Sequence, residues 1–62
     1  MNIEDRARLN KKCLEKLSDF LEAHPKFRFI QALWALNIVD NEDRFYEEPY
    51  ETLEKIEKAE RQ

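Results

Sequence analysis

Sixty-two residues allow one domain, and a chain this short buries only about 60% of the surface that its unfolded form exposes. An apolar content of 42%, seven aromatics and no glycine argue against disorder, tight hairpins and glycine-rich phosphate loops. The net charge of −3 is uneven, with residues 40–62 carrying nine acids against four bases, which disfavours nonspecific nucleic-acid binding by that part.

The first predicted element runs from about Ile3 to Ala23. Asn2 is a competent N-cap, and Glu4 and Asp5 sit where the helix dipole favours carboxylates. Ala7, Asn10, Leu14, Leu17 and Leu21 alternate spacings of three and four, widened by Cys13 and Phe20, with charged residues opposite. Asn10 interrupts this stripe. It reads either as a boundary position touching water or as a buried polar residue that sets register between two helices.

His24-Pro25 ends the first helix, and Pro25 suits the opening of a second over about 26–36. Phe27, Phe29, Ile30, Leu33, Trp34 and Leu36 make that helix apolar nearly all round, so it is either central or shared with a second molecule. Trp34 is divided between core and interface. Asn37 can take the left-handed conformation that closes a helix without glycine, with Ile38 as the apolar residue that follows. Asp40 to Asp43 reads as a polar turn, after which Phe45 and Tyr46 are expected to fold back onto the core. Pro49 opens a third helix, about 49–60, with Tyr50, Leu53 and Ile56 as a narrow stripe and fraying after Lys58. Glu51–Lys55, Glu54–Lys58 and Glu57–Arg61 are favourable i,i+4 pairs. The expectation is an all-α, three-helix mini-domain over residues 1–62, its first two helices antiparallel.

Chemistry-bearing residues are sparse. Cys13 and His24 lie eleven residues apart, roughly 16 Å along one helix, too far to act as nucleophile and base. A lone cysteine closes no intrachain disulfide and fits a reducing cytoplasm. Asp40, Asn41, Glu42 and Asp43 lack the ligand spacing and glycine of a calcium loop. Glu47 and Glu48 read as serving the N-terminus of the third helix rather than as a catalytic pair. No phosphate, dinucleotide or zinc motif is present, so no enzyme activity, metal or cofactor is expected. Nor does any apolar run approach the ~18 residues of a membrane span. As a recognition helix the second would offer only Lys26, Arg28 and Gln31, so direct DNA reading is not expected.

Pro25, Arg28, Gln31 and Leu33 form a Pro-x-x-Arg-x-x-Gln-x-Leu element, followed by Asp-x-Phe-Tyr-x-Glu at Asp43, Phe45, Tyr46 and Glu48. On these residues the chain resembles a group of short, uncharacterised bacterial and phage proteins. The resemblance implies a small helical protein and supplies no catalytic residue. It also suggests that Arg28 pairs with Asp43 or Glu48, clamping the acidic loop over the second helix.

The function expected is a noncatalytic, self-associating protein-interaction module that docks an apolar helical surface onto a partner protein, a second copy of itself in a homodimer included. Asn10, Phe27, Trp34 and Ile38 are the candidate contact residues, and Ile3, Leu9 and Val39 add to the apolar surplus. The alternative is a phage-encoded inhibitor of a host or defence enzyme. It would present Glu47, Glu48, Glu51, Glu54 and Glu57 to a basic groove, although Lys55, Lys58 and Arg61 interrupt that row.

Overall fold

The computed structural model describes residues 1–61. Asn2 is extended, and its side-chain oxygen accepts the Asp5 N–H at 2.7 Å, satisfying one of the unpaired donors that open helix α1, Ile3–Ala23. At the other end the His24 N–H still donates to the Phe20 carbonyl at 2.9 Å. Pro25 has no N–H with which to continue.

The second helix starts later than its composition suggests. Pro25 and Lys26 are spent in a turn closed by the Phe27 N–H on the His24 carbonyl at 3.0 Å. Arg28 is extended, and its N–H donates to the Gln31 side chain at 2.9 Å, so α2 is Phe29–Ala35, seven residues rather than eleven. Its C-terminus follows the expected path. Asn37 has φ 61°, the Ile38 N–H reaches back to Leu33 O at 2.9 Å, and the Asn37 N–H reaches Trp34 O at 3.1 Å. These two bonds make a Schellman closure with asparagine in the usual place of glycine.

Helix α3, Pro49–Glu60, has proline at its first position. The Glu48 N–H donates to the Glu51 carboxylate at 3.0 Å. It continues to Glu60 rather than fraying after Lys58, and Glu60 is held by Lys16 at 3.0 Å. The chain is therefore an all-α, three-helix mini-domain, with no strand among the described residues.

One or two side chains from each helix make the core: Leu17 from α1, Ala32 from α2 with Leu36 at its end, and Ile56 from α3. Cys13, Phe20, Leu21, Leu33 and Ile38 pack around them. Helix α1 contacts α3 more extensively than it contacts α2. Arg6 meets Glu48, Cys13 meets Pro49 and Lys16 meets Glu60, so positions advance together and the two long helices run in the same direction. Two parallel elements need a crossover between them, and residues 24–48, with α2 inside them, provide it. At ~1.5 Å per residue α2 is about 10 Å long against about 31 Å for α1. It cannot cover the whole of α1, and Ile3 and Leu14 are left 80% and 65% exposed.

Candidate protein-interaction surface

The crossover determines which side chains reach water. Between α2 and α3 the chain is organised by Arg44. Its guanidinium binds Asp40 through two donors, at 2.7 and 3.2 Å, approaches Glu42 at 3.2 Å and lies 3.8 Å from Glu47. Glu47 in turn meets the Lys55 ammonium at 2.8 Å and accepts the Thr52 hydroxyl. The fork of hydrogen bonds from Arg44, helped by the Glu42 N–H, pulls the Asp40 carboxyl down to about 2. For Glu47, burial pushes upward, but the Lys55 ammonium, the hydrogen bond from the Thr52 hydroxyl and the nearby Arg44 outweigh it, and its carboxyl sits below the ordinary value.

This clasp corrects one expectation. Phe45 and Tyr46 do not fold back onto the core; they are 82% and 88% exposed. Arg44 and Glu47 are the two ends of a turn closed by the Glu47 N–H on the Arg44 carbonyl at 3.0 Å, and both are tied inward by their ionic partners. The residues between them are left at the tip. The Asp43 side chain accepts the Phe45 N–H at 2.9 Å, and the Phe45 and Tyr46 rings meet edge to face at 5.0 Å. Tyr50, expected on the buried stripe of α3, also faces solvent, and Pro49 and Ile56 are the buried residues of that helix.

A second correction concerns the Arg28 clamp. Arg28 forms no ion pair among the described residues. Glu48 is taken by Arg6 of α1 at 2.9 Å, and Asp43 is used by its own turn. Because α1 runs beside α3 in the same direction, Arg6 arrives at the head of α3, where Arg28 was expected. The arginine pairing is present, on another element.

The remaining sequence candidates divide. Asn10 is exposed and separates the bare Ile3–Ala7 section of α1 from Leu14, so it is not a buried polar residue within this chain. Trp34 is 47% exposed, on the same short helix as exposed Phe29 and Ile30. Phe27 lies edge-on to Phe20 and His24, at 5.2 and 5.7 Å. Ile38 packs against the core, and Leu9 and Val39 are half-buried. Of the acidic row, Glu47 and Glu48 are engaged by cations, Glu54 lies 3.8 Å from Lys58, and Glu51 caps the Glu48 N–H. Lys55 turns to Glu47 instead of Glu51.

The nucleophile candidates are structurally engaged. The Cys13 thiol is directed at the Pro49 carbonyl at 3.6 Å, and burial, with a smaller contribution from Glu47, pushes it above its ordinary value. The His24 ring stacks on Phe20 at 4.3 Å, with its Nδ1 3.0 Å from the Phe20 carbonyl. An open groove of about 440 Å³ lies between the helix ends, and among the described residues its lining holds no hydroxyl, thiol or amine. Among the described residues no three His, Cys, Asp or Glu side chains gather as a metal site requires, and no helix is long and apolar enough to cross a membrane.

The Arg44 clasp had a signal in the sequence: acids four residues before and three after one arginine, bracketing two aromatics. Arg6–Glu48 had none, since forty-two positions separate the pair. No family model matches the chain, and neither does any curated protein or solved structure.

Proposed function

We propose that this chain is a noncatalytic, self-associating protein-interaction module of the cytoplasm, acting by docking exposed apolar surface onto a protein partner. One observation carries the reading: among the described residues ten large apolar side chains are exposed, against four hydrophobic residues buried. Scattered surface apolar residues are normal, but here they concentrate on α2, on the tip of the 44–47 turn and on the uncovered start of α1. Small domains with so little core commonly gain the rest of their stability by oligomerising. The half-buried, uncrosslinked Cys13 suits a reducing compartment.

The test is solution mass by light scattering over a wide range of protein concentration. A mass that rises to twice the chain's 7.6 kDa and persists on dilution is the expected result. A monomer at every concentration would remove self-association. The inhibitor alternative draws less support, because Glu47 and Glu48, the start of its acidic row, are already neutralised within the chain.

A further inference from the structure

Two of the exposed patches are aromatic and opposite in charge. The first is α2 with its lead-in, where Phe29, Ile30 and Trp34 are exposed. Residues 25–39 contain Lys26 and Arg28 and no acid, and neither cation has an ion-pair partner among the described residues. The second is the turn and the start of α3, where Phe45, Tyr46 and Tyr50 are exposed. Asp43 and Glu51 flank those rings and have no cationic partner within the described chain, while Glu42, though near Arg44, remains largely in water.

We propose that two copies of this chain pair through these unlike patches, the cationic aromatic face of α2 on one copy receiving the acidic Phe45–Tyr46 turn of the other. The inference rests on the self-association reading above and specifies which surfaces meet. Made twice about a two-fold axis, the contact gives a closed dimer to which each copy contributes both its α2 and its turn. Lys26 and Arg28 gain the carboxylates they lack within the chain, and a guanidinium over the Tyr46 ring adds a cation–π contact.

Area and rigidity favour these patches over the bare stripe of α1. A fully buried aromatic removes ~150–250 Å² from water. Five rings, about half to nine-tenths exposed, therefore offer on the order of 600 Å² per copy, or about 1,200 Å² for the pair, the lower end of a stable interface. The α1 stripe offers two large residues, Ile3 and Leu14, interrupted by exposed Asn10. The turn is also held in shape before contact by Arg44 on Asp40 and by the Asp43 side chain on the Phe45 N–H, which lowers the ordering cost of binding.

The experiment uses the full chain and two variants at exposed positions, Ile30→Glu on α2 and Tyr46→Lys at the turn tip. Circular dichroism first confirms that each retains its helicity; Arg28→Glu replaces Ile30→Glu should that variant lose it. Light scattering should show a wild-type dimer, and each variant alone should associate at least about tenfold more weakly, as expected when a central contact is removed. Mixing the two variants should restore a one-to-one heterodimer. One of its contacts would then be wild type and the other would pair the new glutamate with the new lysine. Wild-type-like dimers from both single variants would overturn the pairing and leave self-association standing. Weak singles whose mixture stays weak would also overturn it, placing each patch against its own kind. A wild type that is monomeric throughout would overturn both readings.

Discussion

At the scale of single residues, the Asn37 position shows how a local rule can be read from sequence and then tested. Left-handed backbone costs most L-residues roughly 1–2 kcal/mol, and asparagine and glycine are the usual exceptions. With φ 61° at Asn37, Asn37→Ala should lower stability by about 1 kcal/mol, whereas Asn37→Gly should be neutral or slightly stabilising. Thermal melts of the two variants check this, and equal losses would show that the side chain rather than the backbone matters. Cys13 carries a second prediction. Burial and the nearby Glu47 raise its pKa, so the thiolate that reacts with alkylating agents should form only at higher pH than for a freely solvated thiol. Alkylation rates measured across pH should therefore reach their midpoint later for the native chain than for the chain in denaturant. Coincident profiles would mean that the thiol is freely solvated. Asn37 was legible because its signal is confined to neighbours in sequence. The partner of Glu48 was not, because Arg6 reaches it only through the packing of α1 along α3.

At the scale of elements, α1 and α3 were legible in their apolar stripes and their opening residues, Asn2 and Pro49. The start of α2 was not. Proline suits a first helical position and a turn equally well, and the bond from the Phe27 N–H to His24 O selects the turn. Phe45 and Tyr46 were misplaced because hydrophobicity says nothing about the path of a loop, which here is decided by Arg44 and Glu47. That loop should be the acid-sensitive part of the fold. Asp40 at about 2 and Glu47 below its ordinary value both have folded-state pKa values lower than in the unfolded chain. Their contribution is therefore complete above the unfolded values of roughly 4 to 4.5 and is lost as the pH falls through the folded ones, about 2 for Asp40 and below its ordinary value for Glu47. The melting temperature should drop across that window, and Asp40→Asn with Glu47→Gln should flatten the drop while lowering stability at neutral pH. An unchanged slope in the double variant would assign the acid sensitivity to other carboxylates.

At the scale of the whole molecule, the small core and the surplus apolar surface express one limitation. Three helices of 21, 7 and 12 residues cannot enclose every large side chain they carry. The mismatch was visible in the composition, but which residues are left outside depends on the parallel packing of α1 and α3 and on the shortness of α2. A core of this size rarely supplies more than ~3–5 kcal/mol of net stability, and Ile56, fully buried at the contact of α3 with the rest, is one of its two largest fully enclosed residues. Ile56→Ala should cost about 2–5 kcal/mol, enough to unfold much of an isolated monomer. If self-association adds to stability, mass action makes that loss depend on concentration, since only the folded form can pair. Helicity of Ile56→Ala should then be low in dilute solution and recover as the protein is concentrated, with the wild-type melting temperature rising over the same range. Melting that is independent of concentration for both chains would mean that the folded monomer supports itself, and that its exposed aromatics contribute nothing to its own stability.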